Sequence, residues 1–124
     1  MTGPTAAVFI AHVLAAHLSV PEPVRLQLVE EIGPHGFERQ QDWPIATVRR
    51  DGPGWLIEYE RSYWQHHPGR RSYTLVHELC HAAYDYDVAD WFALPAKERV
   101  HRHARVEQCA AQILREHRRC HAPE

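Results

Sequence analysis

Lysine is almost missing from this chain. It occurs once, at Lys97, so thirteen of the 14 basic residues are arginine. That bias, with abundant alanine, reads as codon usage and says nothing about mechanism. Cysteine is scarce too, at Cys80, Cys109 and Cys120. An odd number without C-x-x-C spacing argues against a disulfide framework and against a cysteine-built zinc site. Cys80 and Cys109 stand among apolar residues and read as small buried thiols. A reducing, cytoplasmic compartment is expected. Surplus charge is lacking as well: 14 basic against 16 acidic residues leave a formal net charge of −2. There is no electrostatic case for direct binding of nucleic acid or of an anionic membrane. The pairs Arg70-Arg71 and Arg118-Arg119 are expected to be solvated. The apolar stretch Ala6 to Leu18 is too short to span a bilayer. It has no basic lead-in and contains His12 and His17, so a core helix is expected rather than a signal peptide.

What is present fits one globular domain over residues 1–124, with one modest core. Gly3-Pro4-Thr5 opens a helix with an apolar face of Val8, Ile10, Ala11, Leu14, Ala15 and Leu18. Ser19 to Pro23 breaks it. Val24, Leu26, Leu28, Val29 and Ile32 then fit a short second helix, stopped by Gly33-Pro34-His35-Gly36. Phe37 to Pro44 reads as a connection. Ile45 to Arg50 and Trp55 to Arg61 flank the turn cluster Asp51-Gly52-Pro53-Gly54 and predict a β-hairpin. Ser62 to Gly69 reads as a loop, and Asp85 to Leu94 as irregular with a helical turn at Ala89 to Phe92. Pro95 suits the first turn of a last helix, about Ala96 to Arg118. The expected class is α+β: N-terminal helices, a hairpin or three-stranded sheet, a central helix at about Arg71 to Tyr84, and a C-terminal helix.

The central helix carries H-E-x-x-H, as His77-Glu78-Leu79-Cys80-His81. Residues four apart on a helix are separated by about 40° and about 6 Å, so two imidazoles can grip one metal ion from the same side. Glu78 points a quarter-turn away, placed to touch water beside the metal without ligating it. That pattern suits zinc hydrolysis, with Glu78 as the base. The helix is apolar nearly all round, through Leu75, Val76, Leu79, Cys80, Ala82 and Ala83, as a central buried helix would be.

A catalytic zinc site takes three protein ligands and leaves a position open. On the last helix Val100, Ala104, Glu107, Ala111 and Leu114 step by 4, 3, 4 and 3, and Glu107 is the only charged residue among them. A carboxylate on a core-facing stripe is costly unless paired or bound to metal. Glu107 is therefore the expected third ligand. The competing expectation is that it lies at the edge of the stripe, paired with an Arg. Asp85 and Asp87 follow His81 closely and are rivals. His103 lies one turn before Glu107 and is either a supporting or oxyanion-binding group or a surface imidazole. Tyr84, Tyr86 and His101 are the other oxyanion candidates. The Trp55 to Arg61 strand, if at a sheet edge, could pair with an extended peptide.

Arg70-Arg71 and Tyr73-Thr74 lead into His77, Glu78 and His81, and Glu107 opens E-x-x-A-x-x-Φ-L with Ala110, Ile113 and Leu114. In this the chain, from about Ile45 to Leu114, resembles the ImmA/IrrE-type metallo-endopeptidases. The resemblance implies a small gluzincin fold and a Zn²⁺ ion held by His77, His81 and Glu107. It implies cleavage of a protein, often a DNA-binding repressor of a mobile element or stress pathway. Cys80 stands where that family commonly has Gly. Two other readings stay open: a zinc-binding regulatory or partner-binding domain without proteolysis, and a structural domain without metal. A metzincin-like site using Asp87 would need a Gly where Tyr84 stands.

Overall fold

The computed structural model describes residues 3–32, 45–88 and 91–121. The stop at Gly33 to Gly36, the connection Phe37 to Pro44 and Ala89 lie outside them. Helix α1 spans Gly3–Ala16. It buries Ala6, Ile10 and Val13, spaced four and three apart on one stripe. Val8, expected on that face, is 69% exposed.

The second N-terminal helix is not there. Val24–Val29 forms strand β1 instead. Val24, Leu26 and Leu28 are half-buried while Arg25 and Gln27 are exposed, the period of two that a strand imposes. Strand β2 spans Ala46–Asp51 and β3 spans Gly54–Glu60. They form the expected hairpin, antiparallel, from Ala46 opposite Tyr59 to Asp51 opposite Gly54. In the turn Gly52 has φ of 60°, where a side chain is strained. β1 joins β3 in parallel, and the sheet order is β1-β3-β2. The Trp55 to Arg61 strand, which could have paired with a peptide had it lain at an edge, is therefore central. Its Trp55, Leu56, Ile57 and Tyr59 are all buried, and the sheet's edges are β1 and β2.

The parallel pairing starts at a tight crossing. The Pro23 carbonyl accepts a hydrogen bond from Trp55 N at 2.9 Å. A Cβ on Gly54 would lie 2.5 Å from that same oxygen. Only glycine lets the two chains approach this closely.

Residues expected as a loop after β3 contain helix α2, Arg61–His66. Glu60 caps it, its carboxylate accepting from Ser62 N at 3.0 Å and Tyr63 N at 2.7 Å. Trp64 is buried edge-to-face on Tyr59, with ring centres 4.9 Å apart. After a 3₁₀ turn at Pro68–Arg70 comes helix α3, Arg71–Tyr84. Arg71 is not solvated as expected. Its guanidinium stacks over Trp64 at 4.5 Å and Nε donates to the Trp64 carbonyl at 2.8 Å, tying the start of α3 to the end of α2.

Every residue of α3 from Leu75 to Ala82 is buried. Leu75, Val76 and Leu79 contribute about 2 kcal/mol each by leaving water, which offsets the cost of enclosing His77, Glu78 and His81 beside them. Helix α4, Ala96–His121, lies along α3. Its buried stripe is Val106, Ala110, Ile113 and Leu114. Val100, Ala104 and Glu107, expected to face the core, are exposed. Among the described residues no helix is long and apolar enough to cross a membrane. The class is mixed α+β, as expected.

Gly54→Ala should lower stability by about 2 kcal/mol, through the clash with the Pro23 carbonyl. Thermal or urea unfolding measures this, and Gly69→Ala, where an added Cβ meets nothing within 4 Å, is the control.

Candidate functional site

Helical spacing brings the first two histidines together. The rings of His77 and His81 have centres 5.0 Å apart at 71° to one another. Both are buried, as is Glu78, which is 3% exposed. His81 is held from behind. Its Nδ1 lies 2.7 Å from Asp85 Oδ2, a contact in which both side chains are fully buried. With Nδ1–H donating to the carboxylate, Nε2 carries the lone pair. Asp85 also ends α3, its N–H bonding to the His81 carbonyl at 2.8 Å. Its other oxygen accepts from Arg102 Nη1 at 2.9 Å, across to α4. Asp85, a rival ligand in the sequence, is thus spent on orienting His81. Asp87 is on the surface, 59% exposed, with Oδ1 3.6 Å from the same Arg102 nitrogen.

A cavity of about 460 Å³ opens beside α3. His77 and Glu78 line it from α3, His103 and Glu107 from α4, and Ile45 and Ala46 from the start of β2. Glu107 therefore shares the cavity with His77 and Glu78, but it is not a core charge. Its side chain is 52% exposed, and Oε1 lies 3.5 Å from His103 Nε2. It stands at the edge of the buried stripe with an imidazole, not an Arg, as partner. The burial cost that singled it out in the sequence does not act on it.

His103 is nearer the centre than its sequence context suggested. Its ring centre is 5.3 Å from that of His77 and 6.3 Å from that of His81. Of the four oxyanion candidates, it is the one that lines the cavity. Tyr86 is 65% exposed, and Tyr84 turns its hydroxyl to Cys109 Sγ at 3.4 Å. Trp91 was missed. It is buried, lines the cavity and sets its ring edge-on to His81 at 5.2 Å. One of several aromatics in an irregular stretch, it carries no signal of that role in the sequence. Among the described residues no three His, Cys, Asp or Glu side chains stand as an assembled metal cage. What α3 and α4 present to the cavity is His77 and Glu78 from one helix and His103 and Glu107 from the other, with His81 buried beside His77.

Cys80 and Cys109 are unlike each other. Cys80 is buried, and its thiol is held well above the usual range, first by its hydrogen bond to Cys109 and then by burial. Cys109, on α4, is half-buried and is lowered to about 6 by that hydrogen bond from Cys80, helped by Tyr84 and by Arg105. As a thiolate it accepts from both neighbours. Tyr84 is raised to about 12 by the same cluster.

No protein family, curated protein or solved structure matches this chain.

Asp85→Ala removes one partner from a buried pair and should cost about 3 kcal/mol of stability. Urea unfolding reads that loss, and Asp87→Ala should leave stability within about 0.5 kcal/mol. Cys109 should alkylate with iodoacetamide at a rate that rises through about pH 6, the pKa set by its neighbours, and is level by pH 8. Mass spectrometry of the modified peptide, with Cys109→Ser as the blank, checks this.

Proposed function

We propose that the chain is a zinc-dependent metallo-endopeptidase that hydrolyses a peptide bond in a protein substrate. In this reading His77 and His81 hold the metal, and a third ligand comes from the His103–Glu107 turn of α4, where the sequence pattern puts Glu107. The observation that carries it is the arrangement on α3. Glu78 lies in the cavity wall directly after His77, while His81 is pinned by a buried carboxylate. Orienting a ligating imidazole through its far nitrogen is how proteins prepare a metal site. The donor chemistry suits zinc, which takes neutral imidazole and carboxylate readily.

When bound, zinc supplies Lewis acidity, making water more acidic and polarising the scissile carbonyl. The remaining work falls to the chain. Glu78 accepts a proton from the attacking water and returns it to the leaving amine. Being nearly out of solvent, it does so with little competition from bulk water. Asp85 keeps His81 in one tautomer throughout. An extended peptide would pair along the edge strand β2, whose first residue lines the cavity.

The resemblance of the Arg71 to His81 lead and of the Glu107 helix to ImmA/IrrE-type enzymes supports the same activity. It points to a DNA-binding repressor, of a mobile element or a stress pathway, as substrate. A zinc domain that only binds a partner is the second reading. Glu78 in the cavity favours hydrolysis, because metal binding alone has no need of it.

The purified protein should take up one zinc per chain and cleave a helix-turn-helix repressor encoded nearby. Glu78→Gln should retain fold and zinc and lose on the order of 1,000-fold in cleavage rate. If Glu78→Gln kept its full effect while His77→Ala lost it, the partner-binding reading would stand instead.

A further inference from the structure

We propose that His103 is the third metal ligand and that Glu107 orients it, which makes the site a three-imidazole one. This rests on the zinc reading above and decides which side chain of α4 completes it. Zinc holds each imidazole nitrogen at about 2.0 Å, which puts ring centres about 3.2 Å from the metal and, at tetrahedral angles, about 5 Å from one another. The rings of His77, His81 and His103 have centres 5.0, 5.3 and 6.3 Å apart. Two of the three separations already match. The third, from His81 to His103, closes with a shift of about 1 Å at His103. That side chain is 40% exposed and has room to turn.

Glu107 then has a role that its position explains. On α3 the imidazole of His81 is tied to a carboxylate one turn later, at Asp85. On α4 the imidazole of His103 faces a carboxylate one turn later, at Glu107, 3.5 Å away. The same histidine–carboxylate step occurs on both helices that border the site. A ligating imidazole commonly shares its second nitrogen with such a carboxylate. In this arrangement Glu107 can stay half in solvent, where the structure has it, without entering the metal's coordination. Chemistry follows from the choice. Three neutral imidazoles leave the full dipositive charge on the ion, whereas a Glu107 carboxylate would cancel part of it. A three-imidazole site would make its water the more acidic, with Glu78 in the cavity wall to take the proton.

The test uses the full chain, stripped of metal and reloaded with zinc alone. X-ray absorption at the zinc edge counts imidazole ligands, and competition with a chromophoric chelator gives the affinity. Circular dichroism checks the fold of each variant. The native protein should show three imidazoles. His103→Ala should drop to two and weaken zinc on the order of 100-fold or more, as His77→Ala does. Glu107→Gln keeps an acceptor for His103, so it should keep three imidazoles and bind within about 10-fold of native. Two imidazoles and a carboxylate in the native protein, lost in Glu107→Gln and kept in His103→Ala, would overturn the inference and leave the zinc site in place. A native chain that takes up no more zinc than His77→Ala would overturn the zinc reading itself.

Discussion

A carboxylate with no exposure to water has to be paired, and the pairing of Asp85 ties the site together. An unpaired charge at that depth would cost several kcal/mol, enough to change its ionisation or to move the helix. Asp85 meets the demand through His81 one turn before it and through Arg102 across on α4, while its backbone N–H bonds to the His81 carbonyl at the end of α3. One residue thus stops the helix, fixes the imidazole and joins the two helices that face the cavity. It can do so because Arg102 is itself steadied by Glu98 at 3.1 Å. The orientation of His81 is therefore a property of the α3–α4 packing as much as of α3.

The sheet answers a different constraint. α3 is buried over eight residues, so something apolar has to lie on each side of it. The hairpin supplies one side through Val48, Ile57 and Tyr59, and α1 adds Ile10 and Val13 to the same core. Placing β1 parallel to β3 puts the well-buried β3 in the middle and leaves β2 at the cavity edge. The tight crossing at Gly54 and the cap at Glu60 mark the two ends of β3 and set where α2 and then α3 begin.

Several elements were legible from the residues. The hairpin, α3 and α4 have strong local signals: a glycine-rich turn between β-favouring runs, a nearly continuous apolar helix, and a proline before a long amphipathic one. β1 was read as a helix because Leu28, Val29 and Ile32 give a helical spacing, although Val24, Leu26 and Leu28 alternate as a strand does. Its partner β3 is some thirty residues away, and that pairing leaves no local trace. α2 was read as a loop because Trp64, His66, His67 and Pro68 suggest irregular chain, and its cap, Glu60, is not a usual capping residue. The stripe on α4 was misjudged by one position. Val100-Ala104-Glu107 and Val106-Ala110-Ile113 have the same spacing, and packing against α3 selects the second, with Leu114 buried beside it.

The sequence by itself determined the H-E-x-x-H spacing, and with it two imidazoles on one side of a helix with a carboxylate beside them, because a helix repeats at fixed angle and rise. It also determined that this helix would be central, because so few of its residues can face water. Only the tertiary structure decided what surrounds that motif. It turned Asp85 from a rival ligand into the support of His81, put Glu107 at the rim of the cavity instead of in the core, and brought His103 up to His77. The reason is that the places of Glu107, His103 and the Arg102 that pairs with Asp85 depend on the rotation of α4 against α3. Two neighbouring stripes of α4 would satisfy its periodicity, and the fit of Val106, Ala110 and Ile113 into the core chooses between them.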